Sequence, residues 1–443
     1  MKFTFHILVL LFLVPACAAH QPSSSASQEK WLALNRDFIT LYTKGAYEQA
    51  LATALTEVDL AQGFSPRENS ELATSLNNLG VTYSALGRYE EAKAPLERAL
   101  AMRERVLGQN HPEVATTLGN LGELYEAQGQ SSKAEDAFIR ALEIRESSSG
   151  PENADLADLL NNLGELYFRK GLLDRGESML TRALTIREKE LGPQHPQVAR
   201  TLDNLAGIKQ ARRQNHEAQL LLERSLSIKE KALGPNHPWL TNTLTSLGEV
   251  LLAQGQVAEA ESVVRRAVAI GEQTYGPDNV RMALLLSTLG NLLKAQNQFD
   301  EAEKVYIRAL NLQEKALPAD HIDIAISLGN LAAVHYARGR FAEAEPLYER
   351  ALIISEDNLG QEHADVAQLL HNLGVVNRKL GNLDQAQTMF TRALGIREKL
   401  FGMTDLSVAE TLEALGMTMK DAGDEAAAAQ YTARAKAIRE KTF

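Results

Sequence analysis

The chain has 443 residues, with 57 acidic and 46 basic side chains and a formal net charge of −11 at pH 7. This balance argues against nucleic acid as a partner, because phosphate contacts need a basic stripe. The chain has a single cysteine, so it cannot form an internal disulfide, and packing must stabilise the fold.

The chain begins with a short charged start, an apolar run over residues 3–14 and small residues after it. The run is too short to span a membrane, and the pattern is typical of a secretory signal over residues 1–17. Residues 14–17 resemble a bacterial lipobox, which makes Cys17 the predicted lipid attachment residue. The alternative is cleavage near Ala18, which would give a free periplasmic or secreted protein.

Two segments separate this signal from the main part of the chain. Residues 18–30 are Ser-rich and predict a flexible tether, which suits a lipoprotein. Residues 31–68 fit the frame of the later repeats imperfectly, because Phe38 replaces a small residue. We predict a degenerate N-terminal cap there, in which a large residue is tolerated because no neighbour has to pack closely.

From Ala73 onward, one pattern recurs every 42 residues without insertion. Leucine fills the fourth and seventh positions of all nine copies, and Gly or Ala fills the eighth. These positions lie on one helical stripe, and the small eighth residue lets a second helix approach closely. Recurrent glycines predict the ends of both helices. Residues 69–443 are therefore predicted to form nine two-helix repeats, the last of them a cap, which gives about ten helical hairpins in all.

The small and large residues at Leu79, Gly80, Tyr83, Ala92 and Ala99 resemble the tetratricopeptide repeat (TPR) in its kinesin-light-chain form. The resemblance implies an all-α solenoid, coiled as a right-handed superhelix. It also implies that the first helix of each repeat lines a concave groove that binds other proteins. The chain contains no HExxH, no phosphate-binding glycine loop and no GxSxG motif, so we expect neither an enzyme nor a cofactor.

Asparagine fills the sixth position of six repeats, on the face opposite the packing stripe. Asparagine is a mediocre helix former, so its recurrence in mid-helix needs a reason. One hypothesis is a ladder of amides that grips an extended peptide, which the resemblance supports. The other is that each amide bonds to the neighbouring repeat; both can hold. The residues are Asn78, Asn120, Asn162, Asn204, Asn330 and Asn372.

Charged residues follow the same face. An acidic early part, with Glu123 and Glu165, precedes a basic middle. This middle is either ordinary solvated surface or the docking place of a ligand with an acidic centre, at the fourth and fifth repeats. The candidate groove residues of the basic middle are Arg169, Arg200, Lys209 and Arg213.

Two further rows recur on other parts of the repeat. Arginine at the place of Arg98 and glutamate at the place of Glu104 fill every unit, which predicts ion pairs between repeats. Histidine recurs in the loops, as at His111. Packed helices lie ~8–10 Å apart, too far for two such imidazoles to share a metal at bond lengths of ~2 Å. We therefore predict helix-start residues and no metal site.

These features predict a non-enzymatic interaction scaffold that binds a protein or peptide in its groove. They place it in the bacterial periplasm, attached to a membrane only through the N-terminal lipid. An architectural subunit of an envelope assembly, using the convex face, is the alternative. A small-molecule receptor or an enzyme is the third hypothesis. The residues of a repeat groove do not identify a particular binding partner, so the sequence does not name the partner.

Overall fold

The computed structural model describes residues 26–64, 66, 68–150 and 154–442. Within these residues the chain is all-α, with twenty helices paired in ten hairpins and no strand. The predicted all-α solenoid is therefore confirmed. The predicted signal, Cys17 and residues 18–25 of the predicted tether lie outside the described residues. None of the described helices is both long and apolar enough to cross a membrane.

The chain divides into an N-terminal unit, which ends at Ala232, and a C-terminal unit, which begins at Leu233. The helices of the N-terminal unit are α1 (Ala26–Thr43), α2 (Tyr47–Gln62), α3 (Ser70–Ala85), α4 (Tyr89–Leu107), α5 (Pro112–Ala127), α6 (Ser131–Ser149), α7 (Ala154–Arg169), α8 (Leu173–Leu191), α9 (Pro196–Ala211) and α10 (Asn215–Leu233). The helices of the C-terminal unit are α11 (Leu240–Ala253), α12 (Val257–Tyr275), α13 (Met282–Ala295), α14 (Phe299–Ala316), α15 (Ile322–Ala337), α16 (Phe341–Leu359), α17 (Ala364–Leu380), α18 (Leu383–Phe401), α19 (Leu406–Asp421) and α20 (Glu425–Thr442).

The first described helix begins at Ala26, so residues 26–30 of the predicted tether are helical. These residues contain no Gly or Pro, and they continue the helix that carries Trp31. Trp31 is buried, and its Nε1 donates a hydrogen bond to Ser75 Oγ at 2.8 Å. This bond links α1 to the first full repeat, which fixes the start of α1 in the packed structure.

The tight packing between the two helices of a hairpin explains the small eighth residue. A Cβ atom added at Gly122 would lie 2.5 Å from Cε1 of Phe138. In the N-terminal cap the sizes are exchanged, because Phe38 stands at the glycine position and Ala54 at the position of Phe138. Phe38 is fully buried. The idea that it lacks a close neighbour is therefore wrong, and a large residue fits because a small one stands opposite.

Each hairpin turn contains a residue with positive φ. This residue is usually glycine, as at Gly171 with φ of 73°, but the turn between α9 and α10 uses Arg213 with φ of 60°. The Arg213 amide donates to Gln210 O at 2.9 Å, and the corresponding bond from Gly171 to Phe168 O is 3.0 Å. The departure of this repeat from the consensus has therefore not loosened the hydrogen bonding of its turn, although a non-glycine residue there carries about 1 kcal/mol of strain.

Histidine begins four of the odd-numbered helices, α5, α9, α15 and α17, as predicted. The backbone of His111 is extended, Pro112 takes the first helical position, and His111 Nδ1 accepts a hydrogen bond from the Glu113 amide at 3.2 Å. His195, His321 and His363 cap their helices in the same way. The imidazole thus satisfies one of the free amides of the first turn.

The predicted ion pairs between repeats are also present. In each, an arginine of one even-numbered helix meets a glutamate of the even-numbered helix before it; Arg308 Nη1, for example, lies 3.0 Å from Glu272 Oε1. The pairs are Arg140–Glu104, Arg182–Glu146, Arg224–Glu188, Arg308–Glu272, Arg350–Glu314, Arg392–Glu356 and Arg434–Glu398. The row serves both units, so it does not distinguish a binding site.

Candidate functional site

The odd-numbered helices form the inner row of each unit, and we call them the inner helices. Successive odd-numbered helices contact each other directly, as α5 and α7 do in the N-terminal unit and α13 and α15 in the C-terminal unit. In the described part of the chain the backbones of successive even-numbered helices do not approach as closely, and these helices meet through the long side chains of the ion-pair row. The candidate binding surface is therefore the one that the inner helices share.

Four of the predicted asparagines are buried between hairpins. Asn78, Asn120, Asn162 and Asn204 all belong to the N-terminal unit, and each donates from Nδ2 to a side chain of the preceding hairpin. The acceptors are Glu57 Oε2 at 3.0 Å, Asn77 Oδ1 at 2.8 Å, Glu123 Oε1 at 2.9 Å and Asn161 Oδ1 at 3.3 Å, respectively. The second hypothesis, bonding to the neighbouring repeat, is confirmed for these four, and their contact with a peptide stays a prediction.

The two later asparagines are half-buried and lie in the C-terminal unit. Asn372 Oδ1 accepts a hydrogen bond from Gln368 Nε2 of its own helix at 2.9 Å. Asn330, on α15, makes no hydrogen bond through its amide to any other residue in the described part of the chain. Among the six, Asn330 therefore has the amide that is most available to a ligand.

The cations nearest the acidic part of the surface are already engaged. Arg169 pairs with Glu126, and its Nη1 lies 3.5 Å from Glu165 Oε1. Arg200 Nη2 donates to Asn162 Oδ1 at 3.4 Å. In the structure, Arg169 and Arg200 therefore lie next to the acidic side chains and do not form a separate basic region.

The other two basic residues differ from each other. Lys209 Nζ lies 2.8 Å from Glu177 Oε1 and 2.7 Å from Glu217 Oε2, so its charge is compensated. Arg213 is exposed and makes no ion pair with a described residue. The basic middle that the sequence predicts therefore carries much less free positive charge than its composition indicates, and a role for it in binding stays a prediction.

Burial changes the electrostatics of the acidic part. Desolvation raises the pKa of Glu123 to about 7, although the Arg200 guanidinium and the hydrogen bond from Asn162 oppose the rise. Burial likewise raises the pKa of Glu165, again against the Arg200 charge. Glu123 is therefore partly protonated at neutral pH, so this part of the surface shows less negative charge than the sequence suggests.

The second position of each repeat separates the two units. In the first three repeats of the N-terminal unit it meets a buried arginine of the even-numbered helix that follows: Arg145 Nη2 donates to Thr116 Oγ1 at 2.8 Å, and Arg187, only 1% exposed, pairs with Asp158. Arg187 Nη1 also donates to Thr201 Oγ1 of the next repeat at 2.5 Å. The Arg187 guanidinium thus engages polar side chains of two successive inner helices in internal hydrogen bonds.

Three repeats of the C-terminal unit lack this cation. Its place is taken by Gly271, Gln313 and Ser355, and the cation returns only at Arg397. The second position of these three repeats carries Asn242, Leu284 and Ile326 instead of a paired polar residue. Leu284 and Ile326 are each 42% exposed, one on α13 and one on α15. We call the inner surface of α11, α13 and α15 the open stretch.

Sequence reasoning missed Leu284 and Ile326, although a signal was present. The second position is polar wherever the residue 29 places later is a buried Arg, and it becomes Leu or Ile only where that residue is Gln or Ser. The two positions lie on different helices, so the amphipathic pattern of a single helix does not reveal the link.

The family model for the tetratricopeptide repeat matches overlapping segments along almost the whole described chain. The matched segments are residues 39–105, 71–147, 155–231, 204–273, 239–315, 281–357, 323–399 and 365–441. The chain belongs to the tetratricopeptide repeat family. The family prediction is therefore confirmed. No curated protein matches the chain.

Several solved structures are similar to this TPR protein. A Rap protein complexed with competence and sporulation factor matches at 16% identity, over 86% of this chain and 99% of its own, with a TM-score of 0.60. BtubC (BKLC) from P. vanneervenii matches at 27% identity, over 52% of this chain and 92% of its own, with a TM-score of 0.46. TPR-like repeats of a candidate kinesin light chain from Podosopora anserina match at 28% identity, over 46% of this chain and 97% of their own, with a TM-score of 0.40. The Rap likeness shows the fold alone.

Family membership bears on function in a general way. TPR proteins are generally non-enzymatic, and their repeats present extended surfaces to other proteins. The assignment therefore supports a protein-interaction scaffold. The surface and the chemistry that this chain uses have to be argued from its own residues.

Proposed function

We propose that this TPR protein binds an extended segment of a partner protein on the open stretch of its C-terminal unit. The observation that carries the proposal is the exposure of Leu284 and Ile326 at the same repeat position of two neighbouring inner helices. A Rap protein of the same fold is known in complex with competence and sporulation factor, so the fold accommodates a bound factor.

The spacing of the two apolar side chains suits an extended chain. Packed helices lie ~8–10 Å apart, and an extended chain rises about 3.3 Å per residue. Two side chains about three residues apart in the partner would therefore reach Leu284 and Ile326 together. Covering apolar surface contributes about 25 cal/mol per Å² removed from water, which supplies affinity without a shape-specific pocket.

Polar groups beside the apolar pair can hold the backbone of such a segment. Asn242 is exposed on α11, and Asn330 is half-buried on α15; neither amide is engaged by another described residue. An amide donates and accepts at once, which matches the alternating groups of an extended backbone. The open stretch therefore offers an apolar centre with free amides at its sides, which is a common arrangement in peptide recognition.

The N-terminal unit offers less on the same face. Its asparagines at the sixth position are buried against the preceding hairpin, and the second positions of three of its repeats, Thr74, Thr116 and Asp158, are bonded to buried arginines. A ligand there would have to break internal hydrogen bonds or add to them. Of the six asparagines in the predicted peptide ladder, Asn330 is therefore the one that we propose contacts the bound segment.

A binding experiment with a matched control tests the proposal. Peptides enriched from a random library on the purified chain are measured for affinity to the wild type, to Leu284→Gln/Ile326→Gln and to Ile307→Gln/Ile353→Gln. The control pair removes exposed isoleucines from the outer helices α14 and α16. We expect the first pair to weaken binding about tenfold or more and the control to leave it unchanged. If both double substitutions changed the affinity equally, the open stretch would not be the binding site.

We further propose that the chain is exported and held at a bacterial membrane through Cys17. The short apolar run and the lipobox-like residues 14–17 support this reading. Labelling cells with a radioactive fatty acid should mark the wild type and not Cys17→Ser. Label on neither protein would leave cleavage near Ala18 and a free periplasmic protein as the explanation, and label on both would place the fatty acid at a residue other than Cys17.

A further inference from the structure

We propose that Met403 is a site of reversible oxidation, at which a peroxide converts the thioether to a sulfoxide and the Arg434 guanidinium binds the new oxygen. Met403 lies in the loop between α18 and α19. At 63% exposure it is the most exposed large apolar side chain in the described part of the chain. The proposal concerns the last hairpin and is independent of the proposed function.

The sulfur of Met403 already faces a cation. Arg434, on α20, donates a hydrogen bond from Nη2 to Met403 Sδ at 3.0 Å. The same guanidinium pairs with Glu398 of α18. A thioether sulfur is only a weak acceptor. A strong, charged donor is thus directed at a weak acceptor that solvent can reach.

The other repeats show which acceptor this donor usually meets. Arg434 belongs to the ion-pair row of the even-numbered helices, and in three other repeats the arginine of the row donates from Nη2 to a carbonyl oxygen 31 residues earlier. These bonds are Arg224 to Pro193 O at 3.4 Å, Arg266 to Pro235 O at 2.6 Å and Arg308 to Pro277 O at 3.0 Å. Arg434 and Met403 are also 31 residues apart, but the acceptor is the side-chain sulfur.

Oxidation would replace the weak acceptor with a strong one. An oxygen added to Sδ would turn the N–H···S contact into a charge-assisted N–H···O bond, which is the kind of contact that the three other repeats make. Because Arg434 joins α20 to the preceding repeat, the new bond should hold α20 more firmly. This outcome is the reverse of the usual effect of methionine oxidation, which disrupts packing.

The reaction needs a peroxide as the oxidant. A lone pair of the sulfur attacks one peroxide oxygen, so an S–O bond forms and the O–O bond breaks. The departing hydroxide takes the proton of the transferred oxygen and leaves as water. The sulfur loses two electrons and the peroxide gains them, so hydrogen peroxide gives one sulfoxide and one water. Methionine sulfoxide reductases, one for each epimer, reverse the step with two electrons and two protons from a thiol.

Met417 provides a comparison within the same unit. It is 47% exposed on α19, and its Sδ lies 3.7 Å from Arg378 Nη1. The Arg378 Nε is 2.6 Å from Asp421 Oδ2, so this guanidinium already has an oxygen acceptor. A sulfoxide at Met417 should therefore add less than one at Met403. The other methionines in the described part of the chain are buried or half-buried, such as Met102 at 2% exposure.

The first measurement is the rate of oxidation at each methionine. The full chain carries Met417→Leu, so that Met403 is the only strongly exposed methionine among the described residues. It is treated with hydrogen peroxide, the reaction is stopped with catalase, and peptides are analysed by mass spectrometry. We expect Met403 to be oxidised about tenfold or more faster than Met102, because susceptibility follows exposure. Equal rates at the two residues would overturn the assignment of Met403 as the site.

The second measurement is the amide hydrogen exchange of α20 before and after oxidation. It compares the Met417→Leu protein with the same protein carrying Arg434→Leu or the control Arg392→Leu, which removes the ion pair of α18 with Glu356. Oxidation should slow the exchange of α20 about tenfold in the first protein and in the control, and not in Arg434→Leu. Faster exchange after oxidation, or the same change with and without Arg434, would mean that the sulfoxide is surface damage that Arg434 does not bind.

Two further variants make the test independent of the Arg434 substitution. Met403→Gln places an amide oxygen near the guanidinium, and the fold accepts glutamine because Gln109 and Gln361 hold this position in other repeats. It should exchange like the oxidised protein, whereas Met403→Leu should exchange like the reduced one and ignore peroxide. Identical exchange in these two variants would contradict the role of the oxygen. Failure of both reductases to restore the thioether would contradict reversibility.

Discussion

The N-terminal unit and the open stretch of the C-terminal unit use the same hairpin but treat their inner surfaces differently. In the N-terminal unit a buried cation such as Arg187 is bonded to the inner helices, and the second position must be polar to satisfy it. Beside the open stretch, on the even-numbered helices, Gln313 and its equivalents carry no charge, and Leu284 and Ile326 of the open stretch face outward.

The difference shows how one repeat position controls a surface on another helix. A buried guanidinium must be hydrogen-bonded, so it recruits nearby polar side chains and removes them from contact with a ligand. Without the cation, the same surface is free to carry apolar residues. The residue 29 positions after the second position, on another helix, thus determines whether the second position bonds within the fold or is free to contact a ligand.

The largest expected effect comes from removing one buried cation. Arg187→Met would leave Asp158 without its partner and should cost about 3–5 kcal/mol of local stability. The matched change Gln313→Met, at the same repeat position of the open stretch, should alter it by less than about 1 kcal/mol, because a buried amide with an unpaired Oε1 is replaced by an apolar chain. Amide hydrogen exchange of the adjoining helices measures both, and equal losses would contradict the comparison.

A second prediction concerns the pH dependence of the N-terminal unit. Burial raises the pKa of Glu57, which accepts a hydrogen bond from Asn78, from 4.5 to about 7. The folded state therefore favours the protonated carboxyl, and this stability is complete below pH 4.5 and is lost as the pH rises through 7. Glu57→Gln should remove that pH dependence and raise the stability of the α2–α3 junction above pH 7 by on the order of 3 kcal/mol.

Hydrogen exchange of α2 and α3 between pH 5 and 8, in wild type and variant, measures this effect once the intrinsic pH dependence of exchange is subtracted. A parallel decline in both proteins would assign the pH dependence to other groups. Glu57→Ala gives a further comparison, since alanine stands at this position in most repeats.

The C-terminal unit should respond to pH in the opposite direction. Burial, together with the nearby Arg397 charge, lowers the pKa of His371 from 6.5 to about 4. The folded state favours the neutral imidazole, so stability is full above pH 6.5 and is lost as the pH falls through 4. Relative to His371→Asn, the wild type should lose about 3 kcal/mol around α17 and α18 between pH 7 and 4. A variant that unfolds in parallel with the wild type would contradict this.

The smallest effects are expected where the two units are alike. Arg182→Gln in the N-terminal unit and Arg350→Gln in the C-terminal unit each remove one exposed inter-repeat ion pair. Each change should cost less than about 1 kcal/mol, because exposed pairs contribute little. Urea unfolding followed by circular dichroism measures the two variants side by side. A loss confined to one unit would mean that the ion-pair row contributes to the difference between them.

Asparagine at the sixth position shows where prediction from one helix reaches its limit. A helical wheel puts Asn78 opposite the core stripe, so a solvent-facing side chain is the natural expectation. In the structure the preceding hairpin lies close enough to cover this face, and Asn78, Asn120, Asn162 and Asn204 bond to it. A helical wheel gives no information about the distance between helices, and that distance determines whether the face is exposed to solvent.

The cap shows the same limit for side-chain size. Phe38 breaks the rule of a small eighth residue, and the sequence by itself suggests a loose edge. The structure shows a well-packed core, because Ala54 stands where other repeats carry a large residue. The compensation could have been read from the 16-residue spacing, had both positions been compared together.

The sequence by itself determined the 42-residue repeat, the ten hairpins, the glycine turns and the histidine helix starts. These features follow from local conformational preferences and from the spacing of apolar residues, and both can be read directly from the sequence. Only the tertiary structure decided which polar residues face a neighbour and which face solvent. It buried Asn120 and exposed Leu284, because burial depends on how closely the inner helices approach and on a cation supplied by another helix.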